Sequence, residues 1–182
     1  NSEYSKYLIP DLPVNIDFYS YGWVAFKSEN PSEVIKYLFP DRHAFRANWK
    51  FFNEKTDKGD YFVDYVYVSP SIDGWVLVFN TLYPGLTGKK SEVQNIKNSL
   101  EAYSKTFEEV QFFFLYNRTS NGEFYAKAEK GQLKRMFSKS YNFPVDEGEL
   151  TQIEKQIINS EDSDLENNIN MIANSWSVDP EK

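Results

Sequence analysis

The chain has 182 residues, a formal net charge of −7, 41% hydrophobic and 26% charged residues, enough apolar material for one globular domain without covalent staples. It contains no cysteine and one histidine, His43, which excludes disulfides, thiolate catalysis, Cys-based metal centres and His-rich metal sites. No apolar run approaches the roughly 20 residues that cross a bilayer as a helix.

Residues 1–20 contain Pro10 and Pro13 and read as an extended N-terminal arm. Gly22 to Phe26 reads as a first strand. Asn30-Pro31-Ser32-Glu33 has the chemistry of a helix start, with Asn30 as cap, Pro31 at the first helical position and Glu33 completing a capping box. Val34, Ile35 and Leu38 supply its buried face and Pro40 ends it. Residues 41–60 show no clear period until Thr56 to Asp60, a turn. Tyr61 to Val68, rich in β-branched and aromatic residues, predicts a strand. Ser69 to Gly74 then predicts a turn. Trp75 to Phe79 is continuously apolar, the pattern of a strand covered on both faces.

Tyr83 to Lys90 reads as a Pro/Gly loop. Ser91-Glu92-Val93-Gln94 matches a capping box, and Val93, Ile96, Leu100, Tyr103 and Phe107 recur at steps of three or four, an amphipathic helix. Glu109 to Tyr116 predicts an apolar strand, followed by hairpin chemistry at Ser120-Asn121-Gly122. Glu123 to Ala128 and Gln132 to Ser138 predict a second hairpin across Lys130-Gly131. Thr151-Gln152-Ile153-Glu154 and Ser163-Asp164-Leu165-Glu166 are two more capping boxes. The second opens a helix with Leu165, Ile169, Ile172 and Trp176 on one face. Residues 146–182 are therefore expected to form an acidic helical segment docked on the sheet. The whole predicts a single α+β domain, residues 1–182, with a mainly antiparallel sheet and helices packed on it. Gly22-Trp23-Val24 followed by Ser32-Glu33-Val34 is echoed by Gly74-Trp75-Val76 followed by Ser91-Glu92-Val93, the pattern of a duplicated β–α unit or of chance repetition of a common cap.

The charge is unevenly placed. Residues 146–182 carry ten acids and two bases, a net of −8, which leaves +1 on residues 1–145. Such a segment attracts basic proteins and repels nucleic-acid phosphate, or simply solubilises the surface. No P-loop, G-x-G-x-x-G, G-x-S-x-G or H-E-x-x-H motif is present. His43 beside Asp41 reads as a surface residue rather than a triad base. Asp64 interrupts the apolar face of Phe62, Val66 and Val68 and is the one candidate for paired-carboxylate or sugar chemistry, although an edge-strand acid is the better reading. Lys127, Lys130, Lys134, Arg135 and Lys139, interleaved with Phe124, Tyr125 and Phe137, could bind single-stranded nucleic acid or pair internally with the acidic tail; the net charge of −7 weakens the first reading. No EF-hand loop appears, and no cofactor or metal is expected.

The sequence resembles an uncharacterised bacterial family at Gly22-Trp23-Val24-Ala25-Phe26-Lys27, Asp73-Gly74-Trp75-Val76-Leu77-Val78, Glu109-Val110-Gln111-Phe112-Phe113, Ala126-Lys127-Ala128, Gly131-Gln132-Leu133-Lys134-Arg135 and Ala173-Asn174-Ser175-Trp176-Ser177-Val178-Asp179-Pro180. The islands run in order from residue 22 to residue 180. The Lys-, Asn- and Phe-rich composition departs from the family pattern. The resemblance implies a bacterial protein, some of whose relatives act as immunity proteins beside polymorphic or contact-dependent growth-inhibition toxins; it carries over no catalytic residue.

The expectation is thus a non-catalytic, protein-binding immunity protein of the bacterial cytoplasm that neutralises a cognate basic toxin, a nuclease. Its expected contact patch is Asp146, Glu147, Glu149, Glu161, Asp162, Asp164 and Glu166. The competing readings are a carbohydrate-binding or hydrolytic module and an exported interaction domain, the latter left open by a chain that begins at Asn1.

Overall fold

The computed structural model describes residues 20–41, 48, 50, 66–79, 90–116, 122–139, 144–159 and 165–178. In chain order these form β1 (Ser20–Lys27), α1 (Pro31–Leu38), β2 (Tyr67–Ile72), β3 (Trp75–Phe79), α2 (Lys90–Phe107), β4 (Glu109–Tyr116), β5 (Gly122–Glu129), β6 (Gln132–Ser138), β7 (Val145–Gly148), α3 (Gln152–Asn159) and α4 (Leu165–Trp176). The strands make one antiparallel sheet of order β2-β3-β1-β4-β5-β6-β7. The fold is α+β.

Side chains of a strand alternate between faces, and here both faces are apolar. Val24, Phe26, Val76, Val78, Val110, Phe112, Phe124, Ala126 and Met136 meet Val34 of α1 and Ile96, Leu100 and Phe107 of α2. Trp23, Ala25, Trp75, Leu77, Phe79, Phe113, Leu115 and Tyr125 meet Ile169, Ile172 and Ala173 of α4, with Ile153 and Ile157 of α3 packed against them. The sheet is therefore a middle layer with helices on both sides. The second face carries a row of rings. Tyr67, Phe79, Trp23, Phe113, Tyr125 and Phe137 are successive register partners across six strands, and Asp146 follows on β7. Ring centroids lie 4.9 Å apart for Trp23 and Phe113 and 5.1 Å apart for Tyr125 and Phe137, within the range of favourable offset stacking.

The echo has a structural counterpart. β1 and β3 are antiparallel neighbours; Trp23 and Trp75 share the ring-bearing face, Val24 and Val76 the other. Val34 lies in the core beneath α1, and Val93 packs against the same core from α2.

Several boundaries differ from the sequence reading. At α1, Asn30 Oδ1 accepts from the Ser32 N–H at 3.1 Å, but the Asn30 N–H donates to Ser28 Oγ at 3.0 Å, the place assigned to Glu33. The predicted turn from Ser69 to Gly74 is mostly strand: β2 runs through Pro70 to Ile72, and only Asp73 (φ 50°) and Gly74 (φ 83°) turn the chain. Pro70 is tolerated because β2 ends the sheet among the described residues and shifts register between Val68 and Ser71, so its missing N–H breaks no ladder bond. The same left-handed pair recurs at Lys130 and Gly131, the expected hairpin turn.

The acidic segment also begins differently. Residues 145–148 are a strand, not helix. Val145 packs on the core that holds Met136, and Gly148 takes a φ of 89° with its Cα so close to β6 that an added Cβ would lie 2.1 Å from the Lys134 carbonyl oxygen. Only glycine fits there. The predicted N-terminal arm, apart from Ser20 on β1, lies outside the described residues.

Candidate functional site

Polar chemistry in the described residues collects where β5, β6, β7 and α3 meet. Arg135 is central. Its register position on β6, opposite Lys127 of β5, puts its side chain on the ring-bearing face, where only 1% of it is exposed. A buried guanidinium requires partners; α3 and β7 supply them to Nε and Nη1, while Nη2 has none among the described residues. Nε donates to Glu154 Oε1 of α3 at 2.7 Å. Nη1 donates to Asp146 Oδ1 of β7 at 2.6 Å and to the Glu147 carbonyl oxygen at 3.1 Å. The guanidinium lies over Phe137, its Cζ 5.3 Å from the ring centroid. The two carboxylates hold the guanidinium pKa above its ordinary value, against a burial effect that alone would lower it.

Glu154, 2% exposed, has both oxygens occupied. Oε1 accepts from Arg135 and, at 2.8 Å, from the Tyr125 hydroxyl. Oε2 accepts from the Thr151 N–H at 2.8 Å and the Thr151 hydroxyl at 2.7 Å. The bond from the Thr151 N–H is the Glu half of the capping box that the sequence shows, and the Thr151 hydroxyl donates to the same oxygen; the first two contacts fasten the helix start to the sheet. Burial, together with Glu154, raises the Tyr125 pKa far above its ordinary value, so the phenol remains a donor.

Glu123 is the less satisfied neighbour. It is 4% exposed, with Oε1 3.6 Å from Lys139 Nζ and Oε2 without a hydrogen-bond partner among the described residues. Burial raises its pKa; Lys139 opposes the shift and the charge of Glu154 adds to it. The folded chain therefore holds that proton more tightly than the unfolded chain. This contribution to stability is complete below the unfolded pKa and is lost as pH rises through the folded one. Glu123→Gln is expected to raise the urea midpoint at pH about 7.5 and to change it less at pH about 4. An equal effect at both pH values would contradict this account.

The same face explains the Trp176-Ser177-Val178 island. Trp176 packs 5.9 Å from the Phe113 centroid and 5.7 Å from that of Tyr125, with Lys127 Nζ 5.7 Å from its own ring centre. Gln111, fully buried, donates to the Trp176 carbonyl oxygen at 3.0 Å and accepts from the Ser177 hydroxyl at 2.7 Å. Lys127 in turn sits 2.9 Å from Glu109 and 3.1 Å from Glu129. Burial alone would lower the Lys127 pKa, and these carboxylates together raise it.

The residues singled out by sequence are distributed as follows. Asp146 and Glu147 lie in β7, and Glu149 just beyond it; all three are exposed. Asp146 is bound to Arg135 and Glu147 to Lys97 of α2. Glu166 falls in the first turns of α4, with its side chain outside the described residues; Glu161, Asp162, Asp164, His43 and Asp64 also lie outside them. The basic cluster is largely consumed internally: Arg135 is buried, Lys127 and Lys139 meet carboxylates, and Lys134 meets Gln132. Sequence reasoning missed Glu123 and the second role of Glu154. The capping box flags Glu154, but its partner lies 19 residues earlier and no local pattern announces the pairing.

Among the described residues no group of three or more His, Asp or Glu side chains is placed to hold a metal ion, and no helix is long and apolar enough to cross a membrane. Compared with known proteins, the chain matches no family model, no curated protein and no solved structure.

Proposed function

We propose that this chain is a protein-binding immunity protein of the bacterial cytoplasm, which neutralises a cognate basic toxin by covering it rather than by reacting with it. One observation carries the reading. The segment with a net charge of −8 starts on β7, the terminal strand among the described residues, where Asp146, Glu147 and Glu149 stand exposed on a framework fixed by Arg135 and Lys97. Carboxylates held in place cost little to order on binding, and they steer a cationic partner at long range. The carboxylate with four donors, Glu154, joins elements of the fold to one another. This is how a scaffold uses such a group, whereas a general acid or base needs access to a substrate.

The test is association with a basic nuclease toxin encoded beside the gene in the source bacterium. The on-rate is expected to fall at least about tenfold between low and high salt. Glu149→Lys is expected to slow association further while leaving the unfolding free energy within about 0.5 kcal/mol of its starting value. An on-rate indifferent to salt, or protection of cells that persists after loss of binding, would sink the proposal.

A further inference from the structure

The two ends of the sheet differ. At one end β2 contains Pro70, which has no N–H to offer, and a register shift between Val68 and Ser71. Its Ser71 hydroxyl is tied back to the Ser28 carbonyl oxygen at 3.2 Å. These are the devices by which proteins close a sheet edge to further pairing. At the other end β7 has neither. It pairs with β6 through four consecutive register partners without a shift, and β6 is its one strand neighbour among the described residues. In an antiparallel pair alternate residues direct their N–H and C=O groups away from the partner. The Glu147 and Gly148 carbonyl oxygens already accept from Arg135 Nη1 at 3.1 and 3.4 Å, so β7 offers a short row of outward N–H groups and one outward carbonyl oxygen.

That row is rigid and charged on both faces. Asp146 lies on the ring-bearing face with Phe137, and Glu147 on the opposite face with Met136. Each is held by one cation, Arg135 or Lys97, and stays open to solvent, with side-chain exposures of 69% and 48%. A carboxylate has about four acceptor positions, so one internal bond leaves room for an incoming donor. Glu149 follows immediately and is exposed.

We propose that β7 is a docking edge which takes an extended segment of a partner protein as an added strand, and that this segment carries two adjacent basic residues. Adjacent residues of a strand point to opposite faces. A Lys or Arg pair therefore places one cation over Asp146 and the next over Glu147, while main-chain hydrogen bonds to β7 supply the rest. A second copy of this chain is disfavoured as the occupant, because pairing β7 with itself sets acid against acid. The inference rests on the proposed capture of a basic partner and adds where and how that partner is held.

The probe is a capped octapeptide of alternating Val and Thr with a central Arg-Lys pair. Two controls accompany it: one with Glu-Glu in place of the pair, one N-methylated at alternate backbone nitrogens. With the intact protein, the dibasic peptide is expected to bind, to slow amide exchange within residues 145–148 and to leave β2 unchanged. Both controls are expected to bind at least tenfold more weakly, since one removes the charge match and the other the ladder. Glu147→Gln, whose partner Lys97 lies at the surface, is expected to weaken the dibasic peptide severalfold without altering the circular dichroism spectrum. Absence of binding, equal binding of the N-methylated peptide, protection elsewhere than β7, or self-association through β7 would each overturn the proposal. If a basic toxin binds with the expected salt dependence but leaves β7 amides unprotected, the edge is wrong and the proposed function stands. If the peptide adds to β7 but no salt-sensitive protein partner exists, the edge stands and the toxin reading fails.

Discussion

Arg135→Leu should lower stability by about 3–5 kcal/mol, measured as the loss in unfolding free energy by urea titration. The size follows from what remains behind. Glu154, 2% exposed, would lose the guanidinium 2.7 Å from Oε1, with the Tyr125 hydroxyl and Thr151 as its remaining donors. A buried carboxylate stripped of its cation costs far more than the intact pair contributes. The double change Arg135→Leu with Glu154→Leu separates the two quantities. It removes the uncompensated charge and is expected to recover a large part of the loss, less the capping contribution of about 1 kcal/mol that goes with Glu154. A double variant as unstable as the single one would mean that the pair itself, not the orphaned acid, sets the cost. Because Arg135 also holds Asp146, amide exchange in β7 should accelerate more than in β1 in the single variant.

Trp23→Ala is expected to cost a similar amount, about 3–5 kcal/mol. Trp23 is 1% exposed on β1, an interior strand between β3 and β4, and its ring lies 4.9 Å from Phe113 and 6.4 Å from Phe79. Strands cannot move together to fill the gap, because their spacing is fixed by the ladder at about 4.8 Å. Removing the ring therefore leaves a cavity as well as a lost transfer free energy. A domain of this size commonly has about 5–15 kcal/mol in total, so the variant should sit near the edge of unfolding at 37 °C. Trp23→Phe keeps most of the stack and should cost under half as much. A Trp23→Ala loss below about 1 kcal/mol would show that the row of rings is loosely packed, contrary to the geometry.

How much of this was legible in the sequence depends on the range of the signal. The cap at Asn30, the stripe Ile96, Leu100 and Phe107, and the turn at Lys130-Gly131 are local patterns, and the structure places α1, α2 and the β5–β6 hairpin on them. Pro70 misled because proline signals a turn unless the strand lies at a sheet edge, and edge position is a property of the assembled sheet. β7 was hidden because Asp146 and Glu147 interrupt any apolar alternation; Val145 is the one apolar residue of its four. What makes it a strand is the open side of β6 and the guanidinium beneath it. The pairing of Arg135 with Glu154 and Tyr125 likewise depends on register across β5 and β6, including a shift between Lys127 and Ala128. Composition cannot reveal such a shift. The acidic character of the C-terminal segment was plain, and its pairing with the basic cluster was one of two readings; which acids meet Arg135 and Lys97 was not legible.

The position of β1 has a consequence for the chain as it is made. This first strand lies between β3 and β4, and Trp23 meets Phe113, 90 positions later. Strands β4 to β7, by contrast, follow one another as simple meander neighbours. At a synthesis rate of about 5–20 residues per second, Trp23-Val24-Ala25-Phe26 waits roughly 5–18 s for Phe113 to be added. Until residue 79 this apolar stretch has neither of its two flanking strands, and until Phe113 only one, so the nascent polypeptide must shelter it by collapse or by a chaperone until β4 has been added.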